Sequence, residues 1–93
     1  MSNLRPEHVE WQRQVFQLLR IGGVWAFPGA GLIFRRRAEN VVVCDDSMPF
    51  QEGMPGSPEE WQKHQDDSYE AVRQRGEAAG FVMLDERKKS QQA

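Results

Sequence analysis

The sequence predicts one α+β domain: a helix, a three-stranded antiparallel meander, a second helix and a short fourth strand. Three observations carry that reading. An apolar stripe at helical spacing fills the N-terminal segment and stops at Gly22-Gly23. Three short β-branched and aromatic runs follow, separated by glycine, proline and asparagine. A capping signature, Ser57-Pro58-Glu59-Glu60, then opens a long helical segment.

The first helix is expected from Pro6 to about Arg20. Proline is preorganised for the first helical position, and Glu7 and Glu10 complement the positive end of the helix dipole. Trp11, Val15, Leu18 and Leu19 form its apolar stripe, widened by Val9 and Phe16, with Arg13, Gln14 and Gln17 opposite. The strands are expected at Val24–Phe27, Leu32–Arg36 and Val41–Cys44, with turns at Pro28–Gly31 and Ala38–Asn40. These runs are nearly continuous rather than alternating. Apolar side chains therefore point to both faces, and each face needs cover from helices or from a second subunit.

Asp45 to Gly56 reads as a loop. The second helix is expected from the Ser57 cap to about Ala79, with Gly80 as its stop. Its stripe is thin: Trp61, Tyr69, Val72, Gly76 and Ala79, with Gln65 and Ser68 intruding. The small residues at its end suit close approach to the sheet, and the half from Gln62 to Asp67 is expected to be exposed. Phe81–Leu84 is the expected fourth strand, which closes the domain at residues 1–84. The charged and polar run from Asp85 to Ala93 is expected to be a disordered C-terminal tail.

A chain of 93 residues allows one domain that buries about 60–65% of its unfolded surface, so nearly every large apolar residue must serve the core. The net charge of −2 argues against a surface built to neutralise a duplex backbone. One cysteine, Cys44, excludes an intramolecular disulfide and suits a reducing compartment. No apolar run approaches the roughly 18 residues of a membrane span. The N-terminal run also lacks the apolar stretch of a signal peptide, so the expected location is cytoplasmic with no membrane partner.

Catalytic chemistry finds little purchase. His8 and His64 lie one on each helix, and neither belongs to a ligand pair at helical spacing. Cys44 ends an apolar strand beside Asp45 and Asp46, which disfavour its thiolate. The carboxylate pairs Asp45-Asp46, Asp66-Asp67 and Asp85-Glu86 sit at element ends as solvated groups. The glycines at 22–23 and 29–31 lack the helix N-terminus that a phosphate cradle requires. No catalytic residue, cofactor or metal is expected, and the chain is not expected to be an enzyme.

Two features remain. Arg35-Arg36-Arg37 is a basic strand on which Arg35 and Arg37 share one face. With Arg20 they form a patch for nucleic acid or an acidic partner, or they protect a sheet edge from association. The loop residues Met48, Phe50 and Met54 either plug the open end of the core or form an adaptable contact surface.

The run Gly22-Gly23-Val24-Trp25-Ala26-Phe27-Pro28, with Gly31-Leu32-Ile33-Phe34 after it, resembles short uncharacterised proteins encoded by bacteriophages and prophages. That resemblance implies an accessory role, binding or modulating a host protein. The expected function is therefore a small protein-binding module with a protein partner or a homodimeric one. The alternatives are a nucleic-acid-associated regulator using Arg20, Arg35 and Arg37, and a structural oligomer subunit such as a minor virion component.

Overall fold

Helix α1 (Pro6–Leu18) leads through a glycine turn into strand β1 (Val24–Phe27). A single 3-10 turn, Pro28–Ala30, connects β1 to β2 (Leu32–Ala38), and β3 (Val41–Asp46) follows. A loop then reaches helix α2 (Pro58–Ala78), and β4 (Val82–Asp85) ends the fold. The structure, a computed structural model, describes residues 5–87. The elements and their order are those the sequence predicts. No helix among the described residues is long and apolar enough to cross a membrane.

The four strands form one sheet in the order β1-β2-β3-β4. The first three are an antiparallel meander, while β4 lies parallel to β3. A parallel neighbour cannot be reached by a tight turn, and α2 is the crossover that makes the pairing possible. The register shifts between Arg36 and Ala38, so no residue stands opposite Arg37.

Helix α2 starts where its capping box requires. Ser57 Oγ accepts from the Glu60 backbone N–H at 3.1 Å, and Glu60 Oε1 accepts from the Ser57 N–H at 2.8 Å. Two otherwise orphaned donors are thereby satisfied.

Both helices lie on one face of the sheet. Phe16 from α1 and Tyr69 and Val72 from α2 join Leu32, Phe34, Val42, Cys44 and Met83 in a single core. Strand side chains alternate in direction, and every one of these strand residues has the same parity in register. Phe16 packs edge-on against Trp25 and Phe81, and Phe34 stacks on Tyr69 with an interplanar angle of 5°. Pairs of this kind add about 0.5–1.5 kcal/mol beyond the area they bury.

Close approach explains Gly76, which is buried in α2. A methyl group there would lie 2.5 Å from Met83 Sδ. The expectation drawn from the small residues of the second stripe is met at this position.

Three expectations are revised. The buried line of α1 runs through Gln12, Phe16 and Leu19, whereas Trp11 is 50% and Leu18 87% exposed. The aromatic contacts of Phe16 fix the rotation of the helix and turn Leu18 outward. Phe81 precedes β4 rather than opening it, and its side chain enters the core. Asp85 belongs to β4 and Arg87 is buried, so the fold continues past residue 84. Residues 88–93 of the expected tail lie outside the described residues.

Candidate binding surface

With both helices on one side, no helix among the described residues covers the other face of the sheet, although Val43 at its centre is only 1% exposed. Side chains alternate, so Val24 and Ala26 of β1, Ile33 and Arg35 of β2, Val41, Val43 and Asp45 of β3, and Val82 and Leu84 of β4 point away from the helices. Val24, Val82 and Leu84 are exposed by 48%, 50% and 36%. One row across the sheet reads Val24, Arg35, Val43, Leu84, and the next reads Ala26, Ile33, Asp45. The nearly continuous apolar strands already signalled a second apolar face. What they could not signal is that both helices would choose the same side.

The three consecutive arginines have three different fates. Arg36 points to the helix side. Its Nη1 donates to the Leu19 carbonyl at 2.7 Å and the Gln17 carbonyl at 3.4 Å, and its Nε to the Glu39 carbonyl at 3.0 Å. It thus satisfies carbonyls that the end of α1 leaves without helical partners. Arg37 pairs with Glu86 at 3.0 Å, reaching across from β2 to the residue after β4. Both partners are about half exposed, so the pair contributes on the order of 0–1 kcal/mol. Arg35 stands on the open face, and no ion pair among the described residues includes it.

Arg20 is exposed beyond the end of α1. The backbone pairings Gly22 N–H to Arg36 O and Arg36 N–H to Gly23 O bring that end of the chain beside the basic strand. These bonds place the turn that follows Arg20 beside Arg36, while Arg35 stands on the open face. Arg36 is occupied by α1, and Arg37 is neutralised by Glu86.

The loop lies elsewhere, at the start of β2, where Ser47 and Met48 donate to the Gly31 carbonyl. The structure does not bring it together with the arginines at the far end of that strand. Met48, Phe50 and Met54 are half-buried and stand outside the core cluster, so they do not plug it. The loop is held instead by polar contacts from α2. Trp61 Nε1 donates to the Met48 carbonyl at 3.2 Å. The buried Gln65 donates through Nε2 to the Ala30 carbonyl at 2.9 Å. Gly31 adopts φ +63°, and a Cβ there would meet the Met48 carbonyl oxygen at 2.6 Å. Gln65, which interrupts the apolar stripe in the sequence, is the clamp that joins this turn to α2.

A second polar cluster escaped the sequence reading. The Arg87 side chain is 2% exposed and pairs with Asp85 at 2.8 Å and Asp66 at 3.0 Å. Its guanidinium lies 5.1 Å from the centre of the Tyr69 ring. The helical spacing of Asp66 and Tyr69 was its only sequence signal. A third contact, Arg75 Nε to Gln12 Oε1 at 3.1 Å, ties the two helices together.

Cys44 is fully buried, and burial pushes its thiol up to about 12. Such a thiol is not a nucleophile at neutral pH. Among the described residues no three His, Cys, Asp or Glu side chains converge as metal ligands. His64 is exposed and donates through Nε2 to the Gly29 carbonyl at 3.0 Å.

Compared with known proteins, the chain matches no family model, and no curated protein or solved structure is similar enough to carry an argument.

Proposed function

We propose that the chain is a non-catalytic protein-binding module that docks a protein partner on the open face of its sheet. The observation that carries this reading is the exposure of Val24, Val82 and Leu84 on a sheet whose helices both pack on the other side. These exposed apolar side chains stand on the two outer strands, with Arg35 and the buried Val43 between them, and exposed apolar area favours burial against a partner. The charges on that face are of both signs, with Arg35 on β2 set beside Asp45 on β3. That mixture suits a protein surface better than a phosphate backbone, which Asp45 would repel. An accessory role, binding or modulating a host protein, is consistent with such a surface.

Affinity capture from a bacterial lysate tests the proposal. Wild-type bait is expected to retain a partner that Leu84→Lys bait loses, while Gln51→Lys in the loop retains it. Equal capture by wild-type and Leu84→Lys bait, with loss in Gln51→Lys, would move the binding surface to the loop.

A further inference from the structure

We infer that the open face accepts a second copy of this chain, docked face to face so that Arg35 of each copy meets Asp45 of the other. This rests on the reading of that face as a protein-docking surface and names its occupant. Arg35 and Asp45 lie on the adjacent strands β2 and β3. Arg35 stands opposite Val43, and Asp45 stands opposite Ile33. The four residues are thus corners of one small quadrilateral, with the charges on one diagonal and Ile33 and Val43 on the other. Val43 is already only 1% exposed within the chain, so the apolar area left to cover is that of Ile33 and of Val24 and Leu84 on the outer strands. Neither charge enters an ion pair among the described residues. Arg37 and Glu86 are already paired within the chain.

A surface that presents one uncompensated cation beside one uncompensated anion is its own electrostatic complement. A two-fold axis lying in the plane of contact and bisecting the line from Arg35 to Asp45 exchanges the two positions. Each Arg35 then faces an Asp45, twice over, from a single self-complementary patch. The axis passes through the centre of the quadrilateral, beside Ile33 and Val43. Val24 and Leu84 continue the Arg35 row on either side and come under the same cover.

Other occupants fit less well. A nucleic acid or an anionic lipid surface would set its phosphates against Asp45. An unrelated protein would need a matching diagonal of charges, which a second copy already carries. The net charge of −2 per chain offers little long-range repulsion between copies, and salt screens it beyond about 8 Å. Four strands at roughly 4.8 Å spacing make a small interface, so the dimer is concentration-dependent and dissociates on dilution.

Sedimentation equilibrium of the full chain tests this, with circular dichroism confirming that each variant folds. The wild type is expected to form a reversible dimer. Arg35→Asp and Asp45→Arg should each weaken it roughly ten- to a hundred-fold, because like charges then face each other. An equimolar mixture of the two variants should recover association, since each chain supplies the charge the other has lost. The Arg35→Asp/Asp45→Arg double variant should recover it alone. A wild type that stays monomeric up to the order of 1 mM overturns the inference. A dimer that neither the mixture nor the double variant restores overturns the pairing. If the wild type is monomeric but Leu84→Lys still loses a captured protein, the docking face stands and only the second copy falls.

Discussion

Arg36 Nη1 lies 2.7 Å from the Leu19 carbonyl oxygen, and through that contact strand β2 holds the end of α1. The same guanidinium reaches the Glu39 carbonyl in the β2–β3 turn, so one side chain ties three segments. Arg36→Ala should therefore cost about 1.5–3 kcal/mol, the range for hydrogen bonds made by a charged donor. Arg35→Ala, one residue away on the open face, should change stability by less than about 0.5 kcal/mol. Urea denaturation of the two variants measures the difference, and equal losses would contradict the assignment.

Arg87 is the anchor of the C-terminal end of the fold. Removing it leaves Asp85 and Asp66 without the cation that they share and strips a guanidinium from the Tyr69 ring. Breaking a buried pair costs about 3–5 kcal/mol, and the 44% exposure of Asp66 lowers the expectation to about 2–4 kcal/mol. Arg87→Ala should show this loss in thermal or urea unfolding. Arg87→Lys should recover only part of it, because an ammonium cannot bridge both carboxylates as the planar fork does.

Gly76→Ala sets two effects against each other. Alanine favours the helix by about 0.8–1.0 kcal/mol over glycine, but its methyl would meet Met83 Sδ at 2.5 Å. Met83 is itself buried and has little room to yield. Overpacking of this kind costs about 1–3 kcal/mol, so the variant should be destabilised. Adding Met83→Ala in the Gly76→Ala background should cost less than Met83→Ala alone. Additive losses would mean that the two positions are not in contact.

Alkaline pH should unfold the protein through two buried neutral groups. Burial pushes the Cys44 thiol from 9.0 to about 12, and the Tyr69 hydroxyl from 10.0 to about 12. Asp85 contributes to both shifts in the same direction. A raised pKa on an acid means that the fold favours its neutral form. The resulting stability is complete below about pH 9 and is lost as pH rises towards 12. The Cys44→Ala/Tyr69→Phe double variant should show a shallower alkaline fall in stability than the wild type. A parallel fall in both would assign the effect to other groups.

Local signals were legible wherever one segment decides its own conformation. The Ser57 box placed the start of α2, glycine and proline placed the turns, and apolar runs placed the strands within one or two residues. Rotation about α1 was not legible, because Trp11, Val15, Leu18 and Leu19 make as good a stripe as Gln12, Phe16 and Leu19. Only the position of Trp25 and Phe81 across the core decides between them. The partners of Arg36, Arg87 and Gln65 were hidden for a related reason. Each is a polar side chain satisfied by backbone or carboxylate groups from distant segments, and spacing along the chain does not encode that meeting. The open face was half legible: continuous apolar strands require two covers, and the helices among the described residues provide one.

The claim that this face is the docking surface is tested most directly by thiol labelling of Leu84→Cys. Cys44 serves as an internal control, since its buried thiol should stay unreactive at neutral pH. The introduced thiol should label rapidly in dilute protein and at least ten-fold more slowly in the partner-bound state. A thiol introduced by Gln51→Cys in the loop should label at the same rate in both. Unchanged labelling of Leu84→Cys on partner binding, with protection at Gln51→Cys instead, would contradict the claim and place the partner on the loop.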